Sequence, residues 1–296
     1  MDNQNSGQEN GMLARGVWLF LLITFGWSWG LAAGICQSGR DYSIALLVLY
    51  MAGPGVAAFV CALLYDRHRF FAALGLSSNP FNRWLFIAFL APFLIVGFAF
   101  LATHYIGGRE ILTLEEAFLI QFKNAGIDPE ELPLSVQQIA WLQIISLPIA
   151  AAVINTAFMM VTEEVGWRGW LWDRWSHMPF WRHAMLTGFI WGAWHAPIVA
   201  LGYNYPGLPV WGPVIFIGWV MFMTPIIALI REKGGSMVHG AMFHGVFNGV
   251  APITMIMLAD PSMPWRGAIG LGGFAALALG IGVVIAYRAV TKTPHQ

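Results

Sequence analysis

Apolar residues run along this chain in long blocks, separated by short polar breaks. Windows long enough to cross the roughly 30 Å hydrocarbon core of a bilayer fall at about 13–35, 43–65, 84–104, 139–165, 183–203, 211–230, 236–258 and 267–287. Each reads as a helix, because a lone segment crossing lipid must satisfy its own backbone hydrogen bonds. The breaks carry turn and cap chemistry: Asn79-Pro80, Pro206-Gly207, and Gly234-Gly235 ahead of Ser236, whose hydroxyl suits an N-cap. The pattern predicts an all-α polytopic membrane protein of about eight transmembrane helices. Residues 13–290 form one domain with a motif-rich core at 160–250, between a polar, disordered tail at 1–12 and a short tail at 291–296.

The segment between the third and fourth spans is the longest break. Over Ile111–Ala125 it sets Leu112, Glu115, Glu116, Phe118, Leu119 and Phe122 at helix-like spacing, which predicts an outer amphipathic or re-entrant helix. Placement of Lys and Arg sets the orientation. With the N-terminus inside, the inner segments hold Arg15, Arg67, Arg69, Arg83, Arg168, Arg174, Arg182, Arg231, Lys233, Arg288 and Lys292, whereas the outer ones hold only Arg40, Arg109, Lys123 and Arg266. That bias predicts both termini in the cytoplasm, and the localisation expected is a bacterial or archaeal plasma membrane.

Composition narrows the class further. Hydrophobic residues make up 58% of the 296 and charged residues 10%, against about 25% charged in a soluble domain. The 15 basic residues equal the 15 acidic ones, so there is no basic footprint for nucleic acid, and the partners expected are the lipid bilayer and a membrane-embedded or membrane-associated peptide or protein. The two cysteines, Cys36 and Cys61, fall near opposite ends of neighbouring spans, too far apart for a disulfide.

Three polar clusters interrupt the apolar blocks, and ionisable groups at such depth are costly enough to mark function. The first is Glu163-Glu164-Val165-Gly166-Trp167-Arg168 at the inner end of the fourth span. Glu164 and Arg168 share a helical face and can pair, and Glu163, about 100° round an α-helix, lies outside that pair. The second is Trp191-Gly192-Ala193-Trp194-His195, followed by Ala196-Pro197, where the proline removes an amide donor and loosens the helix. The third is His244-Gly245-Val246-Phe247-Asn248, with His244 and Asn248 on one face. Other polar residues read as structural: Asn155 and Thr156 as helix glue, His239 as a helix-start residue, and His177 and His183 as solvated loop residues. Asp173, His68 and His104 lie at span ends and receive no role.

The clusters suit peptide hydrolysis. Desolvation raises a carboxylate's proton affinity, so Glu163 can act as general base towards water. A neutral His195 can hold that water or shuttle its proton, and His244 and Asn248 can donate to the oxyanion on the scissile carbonyl. Glu163, His195 and His244 also form a His₂Glu set able to hold zinc with an open position, so a metal-free and a zinc mechanism both stand, although no H-E-x-x-H spacing occurs. The alternative class is a non-proteolytic immunity or scaffold factor, or a proton-coupled transporter using the same Glu and His residues. Transporters typically show internal repeats with matching broken helices, and neither is visible.

In this order and on these spans, the clusters resemble the CPBP family of intramembrane proteases, also called Abi or CAAX-protease-like, which includes the type II CAAX prenyl endopeptidases. The family pattern is E-E-x-x-x-R, then F-x-x-x-H, then H-x-x-x-N or D. The first and third motifs match fully, and the second has Trp191 where Phe is usual. The resemblance implies a conical intramembrane catalytic cavity in which Glu163 and His195 activate water, His244 and Asn248 hold the oxyanion, and Glu164, Arg168 and Trp191 support the site. It also implies a glutamate-dependent mechanism without a cofactor, with zinc second. Prenyl-protein processing is not carried over, because many bacterial relatives have unknown substrates or serve in bacteriocin self-immunity.

Overall fold

A computed structural model describes residues 2–37 and 43–291, with side chains from Arg15 onward. Among the described residues there are helices but no strand, and Ile111 and Leu258 form an isolated antiparallel bridge. Among the described residues six helices are long and apolar enough to cross a membrane: Arg15–Gln37, Ile44–Tyr65, Arg83–Tyr105, Val136–Arg174, Trp211–Gly234 and Leu271–Thr291. Many large apolar side chains point outward, among them Ile44, Leu94, Ile149 and Val290. Water would penalise such a surface, whereas lipid does not. The protein is an integral, multi-pass, all-α membrane protein.

Three differences from the expected spans have physical causes. The expected fifth and seventh spans are helical, as Phe180–Ala200 and Met237–Val250, but do not join the six. The former carries Arg182, His183 and His195 among its apolar residues, and the latter has only 14 residues, about 21 Å of α-helix. The fourth span, expected at 139–165, belongs to a continuous helical rod of 39 residues, Val136–Arg174. Within it Ala151–Asn155 and Met160–Trp170 wind as π-helix, so the first motif sits on a wider turn than the α spacing assumed. The helix Asp2–Gln37 takes in the polar start of the chain, and most of the expected C-terminal tail, residues 292–296, lies outside the described residues.

The chain divides into two compact units, Met1–Leu85 with Phe158–Ala241, and Phe86–Ala157 with Met242–Gln296. In the first unit, Ser43 caps the helix Ile44–Met51 by accepting from the Leu46 amide, and Pro54 opens the helix Gly53–Tyr65 that follows. That second helix packs backbone to backbone against the π-helical stretch. A Cβ on Gly55 would lie 2.1 Å from the Val161 carbonyl oxygen, and one on Gly166 would lie 2.7 Å from that of Pro54. Small residues at a membrane helix contact allow this approach. Around it Trp167, Trp170, Trp191, Trp194, Tyr50 and Phe20 form a fully buried aromatic core.

The second unit holds the amphipathic helix expected near Ile111–Ala125, observed as Leu114–Ala125. Thr113 and Glu116 close it with a reciprocal capping box, and these hydrogen bonds, first from the Thr113 hydroxyl and then from its amide, hold the Glu116 carboxyl below its usual range. Phe118 and Phe122 bury their apolar face with Ala117 and Ala140. Ser135 and Gln138 form a second capping box at the start of the long rod.

Candidate active site

In the first unit the π-helical stretch presents two neighbouring buried carboxylates, with Glu163 2% and Glu164 0% exposed. Arg168, itself 1% exposed, donates from Nη1 to Glu164 Oε1 at 2.8 Å. The expected pair therefore forms across a π-helical turn as it would across an α-helical one. Burial of both partners makes it costly to break rather than strongly stabilising. Gly240 lies beside this pair: a Cβ there would sit 2.9 Å from Glu164 Oε2.

Glu163 is engaged differently. Its Oε2 accepts a hydrogen bond of 2.7 Å from Trp191 Nε1, on the helix Phe180–Ala200. Trp191 also offers its ring face to Arg168, whose Cζ stands 4.2 Å from the ring centroid. One turn later, His195 Nδ1 lies 3.0 Å from the Trp191 carbonyl oxygen. A carbonyl only accepts, so Nδ1 carries a proton, and in the neutral form of the ring the lone pair is then on Nε2. The His195 ring packs against Trp194 and Phe216, at 4.4 and 4.9 Å between centroids. The first two motifs thus meet at Trp191, and also where the Trp167 and Trp194 rings lie 5.9 Å apart between centroids.

The third motif lies on the helix Met237–Val250, and its His244 and Asn248 belong to the second unit. His244 is buried and Asn248 exposed. Within that unit a Cβ on Gly245 would fall 2.4 Å from the Thr156 amide nitrogen, and one on Gly249 would fall 2.4 Å from the Ala151 Cβ. Thr156 Oγ1 donates to the Ala151 carbonyl of its own rod and reaches Met242 Sδ on the helix Met237–Val250 at 3.7 Å. Ser236 caps this helix by accepting from the Val238 amide, and the buried His239 ring meets the Ser236 carbonyl and Asn82 Oδ1. Among the described residues, no three His, Cys, Asp or Glu side chains form a group suited to a metal ion.

Several residues depart from their expected settings. His183 is not solvated: it is buried against Trp172, with ring centroids 4.3 Å apart, and near Trp175. Arg231, counted above as a loop cation, is buried and donates from Nε to the Arg168 carbonyl at 2.8 Å. Asp173, given no role, pairs with Arg69. Tyr50 lies outside all three motifs. It is fully buried, and its hydroxyl donates to the Trp194 carbonyl. A tyrosine in an apolar run carries no motif, so only the fold could reveal it.

The comparisons with known proteins bear on this same stretch. Residues 145–250 match the family model described as "Type II CAAX prenyl endopeptidase Rce1-like", and this range contains all seven motif residues from Glu163 to Asn248. A search of curated proteins returns no match. Over residues 145–250, with the buried Glu163, Glu164, His195 and His244, the chain is thus similar to the Rce1-like type II CAAX prenyl endopeptidases.

Proposed function

We propose that this protein is an intramembrane endopeptidase in which Glu163 is the general base. The observation that carries the reading is the division of labour between adjacent carboxylates. Glu164 is tied to Arg168, whereas Glu163, equally buried on an apolar helix, accepts from the neutral indole of Trp191. The indole N–H orients the Glu163 carboxylate through a hydrogen bond to Oε2.

In the proposed reaction Glu163 takes a proton from water as the water oxygen attacks the scissile carbonyl. His195, with Nδ1–H turned to its own helix, offers Nε2 to the same water. His244 and Asn248 donate to the oxyanion, and the proton held by Glu163 passes to the departing amine as the C–N bond breaks. Those two roles rest on the motif match. Membrane-embedded or membrane-tethered peptides are the substrates proposed, with both termini of the enzyme in the cytoplasm.

The test compares the membrane proteomes of cells carrying wild type or Glu163→Gln. Cleavage products that appear only with wild type support the peptidase, and identical proteomes favour a non-proteolytic membrane factor. The mechanism is proposed as metal-free, so a strong chelator should leave turnover unchanged. Activity lost on chelation and restored by zinc would instead assign Glu163, His195 and His244 as ligands.

A further inference from the structure

Trp191 touches every other member of the first two motifs that the proposed chemistry uses, and it does so through three different groups. Its indole N–H reaches Glu163 at 2.7 Å, its ring face carries the Arg168 guanidinium at 4.2 Å, and its carbonyl accepts from His195 Nδ1 at 3.0 Å. Arg168 in turn holds Glu164. We propose that Trp191 is the positioning residue of the site, fixing the carboxylate plane of Glu163 through its indole N–H while its ring keeps the Glu164–Arg168 pair alongside. This deepens the peptidase reading and rests on it.

The physical case is one of rotamers. Glutamate has three side-chain torsions, and a base must hold its oxygen within about 0.5 Å of the productive position to act on a bound water. Trp191 is 1% exposed, and its ring is clamped by the guanidinium and the surrounding aromatic core, so its N–H is a fixed point. The hydrogen bond goes to Oε2, one of the two oxygens of a group with about four lone-pair sites. Phenylalanine at this position would keep an aromatic face but offer no donor. An aromatic ring is therefore not the whole requirement here, and the nitrogen is the functional atom.

The decisive experiment removes the N–H and nothing else. Benzothienylalanine, in which sulfur replaces the indole N–H, is incorporated at position 191 of the full chain in proteoliposomes. Trp191→Phe is made in parallel. The probe is a synthetic peptide spanning a cleavage site found in the wild-type against Glu163→Gln membrane comparison. With the isostere, kcat should fall about 10- to 100-fold while KM and the thermal midpoint stay put, since only a hydrogen bond to a charged group is lost. A second readout needs no activity: the indole ¹H–¹⁵N resonance that disappears in Trp191→Phe should move upfield in Glu163→Gln. Wild-type kcat in the isostere, or an indole resonance indifferent to Glu163→Gln, overturns the proposal. A wild type that cleaves nothing while its indole resonance responds to Glu163→Gln sinks the peptidase reading but upholds the placement of Glu163 by Trp191.

Discussion

The first unit contains two clusters built from the same three parts, a carboxylate, an indole and a guanidinium. At the motif, Trp191 donates to Glu163 and carries Arg168 on its ring face. At the end of the long rod, Trp170 donates to Asp66 at 3.0 Å and carries Arg174 on its ring face at 4.8 Å. What differs is the destination of the charge. Arg174 pairs with Asp66, the carboxylate that Trp170 also holds, and Arg69 joins them before reaching on to Asp173. Arg168 gives its hydrogen bond to Glu164, the neighbour of the carboxylate that Trp191 holds. Asp66 is thus hydrogen-bonded by indole and cation together, whereas at the motif the indole N–H goes to Glu163 and the guanidinium hydrogen bond to Glu164, with the Arg168 charge also acting on Glu163. The first arrangement locks chain segments together, and the second orients the carboxylate proposed as the base.

If that contrast is right, neutralising the two indole-held carboxylates should have opposite signatures. Glu163→Gln is expected to lower turnover by about 10² to 10⁴, the range of a general base, with the unfolding midpoint in detergent near that of wild type. The glutamine keeps the size of the side chain and an acceptor for the Trp191 N–H. Turnover within tenfold of wild type would break the comparison at its catalytic end.

The next largest effect is on stability. Glu164→Gln leaves Arg168 buried without its carboxylate partner, and breaking a pair in such a setting costs about 3 to 5 kcal/mol. Reversible denaturation followed by tryptophan fluorescence should show that loss, with any fall in activity tracking the unfolded fraction. A stable Glu164→Gln variant would mean that the guanidinium is held mainly by the Trp191 ring.

Asp66→Asn should fall below that, at about 2 to 3 kcal/mol. Arg174 is 9% exposed and forfeits a buried partner, but Arg69 is 46% exposed, so its 3.2 Å contact with Asp66 contributes little. Denaturation midpoints measure the first effect, and specific activity of the folded fraction should match wild type. Reduced activity per folded molecule would give this cluster a part in the chemistry and erase the distinction drawn here.

The two clusters also show what a sequence can carry. Glu163, Glu164, Arg168, Trp191 and His195 stood out because polar groups in apolar blocks are costly and their spacing is local. The apolar blocks themselves were legible because lipid accepts outward-facing Ile44 or Leu94 directly. The Asp66 cluster was not legible, since Trp170 and Arg174 lie 104 and 108 residues from the carboxylate they hold. Charge alone assigned Arg231 and His183 to solvent, and only packing against Trp172 reveals their burial. The π-helical winding of Met160–Trp170 leaves no residue signature, because Glu164 and Arg168 can pair in either geometry. At Trp191 the sequence conveyed an aromatic ring, while the structure makes the indole nitrogen the informative atom.

The smallest effect is also the closest control. Benzothienylalanine at position 170 removes the N–H that reaches Asp66 but preserves the ring that stacks on Phe20, with centroids 5.3 Å apart, and that carries Arg174. Asp66 keeps its ion pair with Arg174, so the loss should be about 1 to 2 kcal/mol in stability, with kcat unchanged. The same atom exchange at 191 and at 170 is then expected to act on different quantities, rate at the first and stability at the second. Both are indole N–H groups bonded to carboxylates in one unit, so general disruption by the unnatural residue would affect both sites alike. Equal losses of kcat at both positions would show that the rate reports packing of the aromatic core rather than the placement of Glu163.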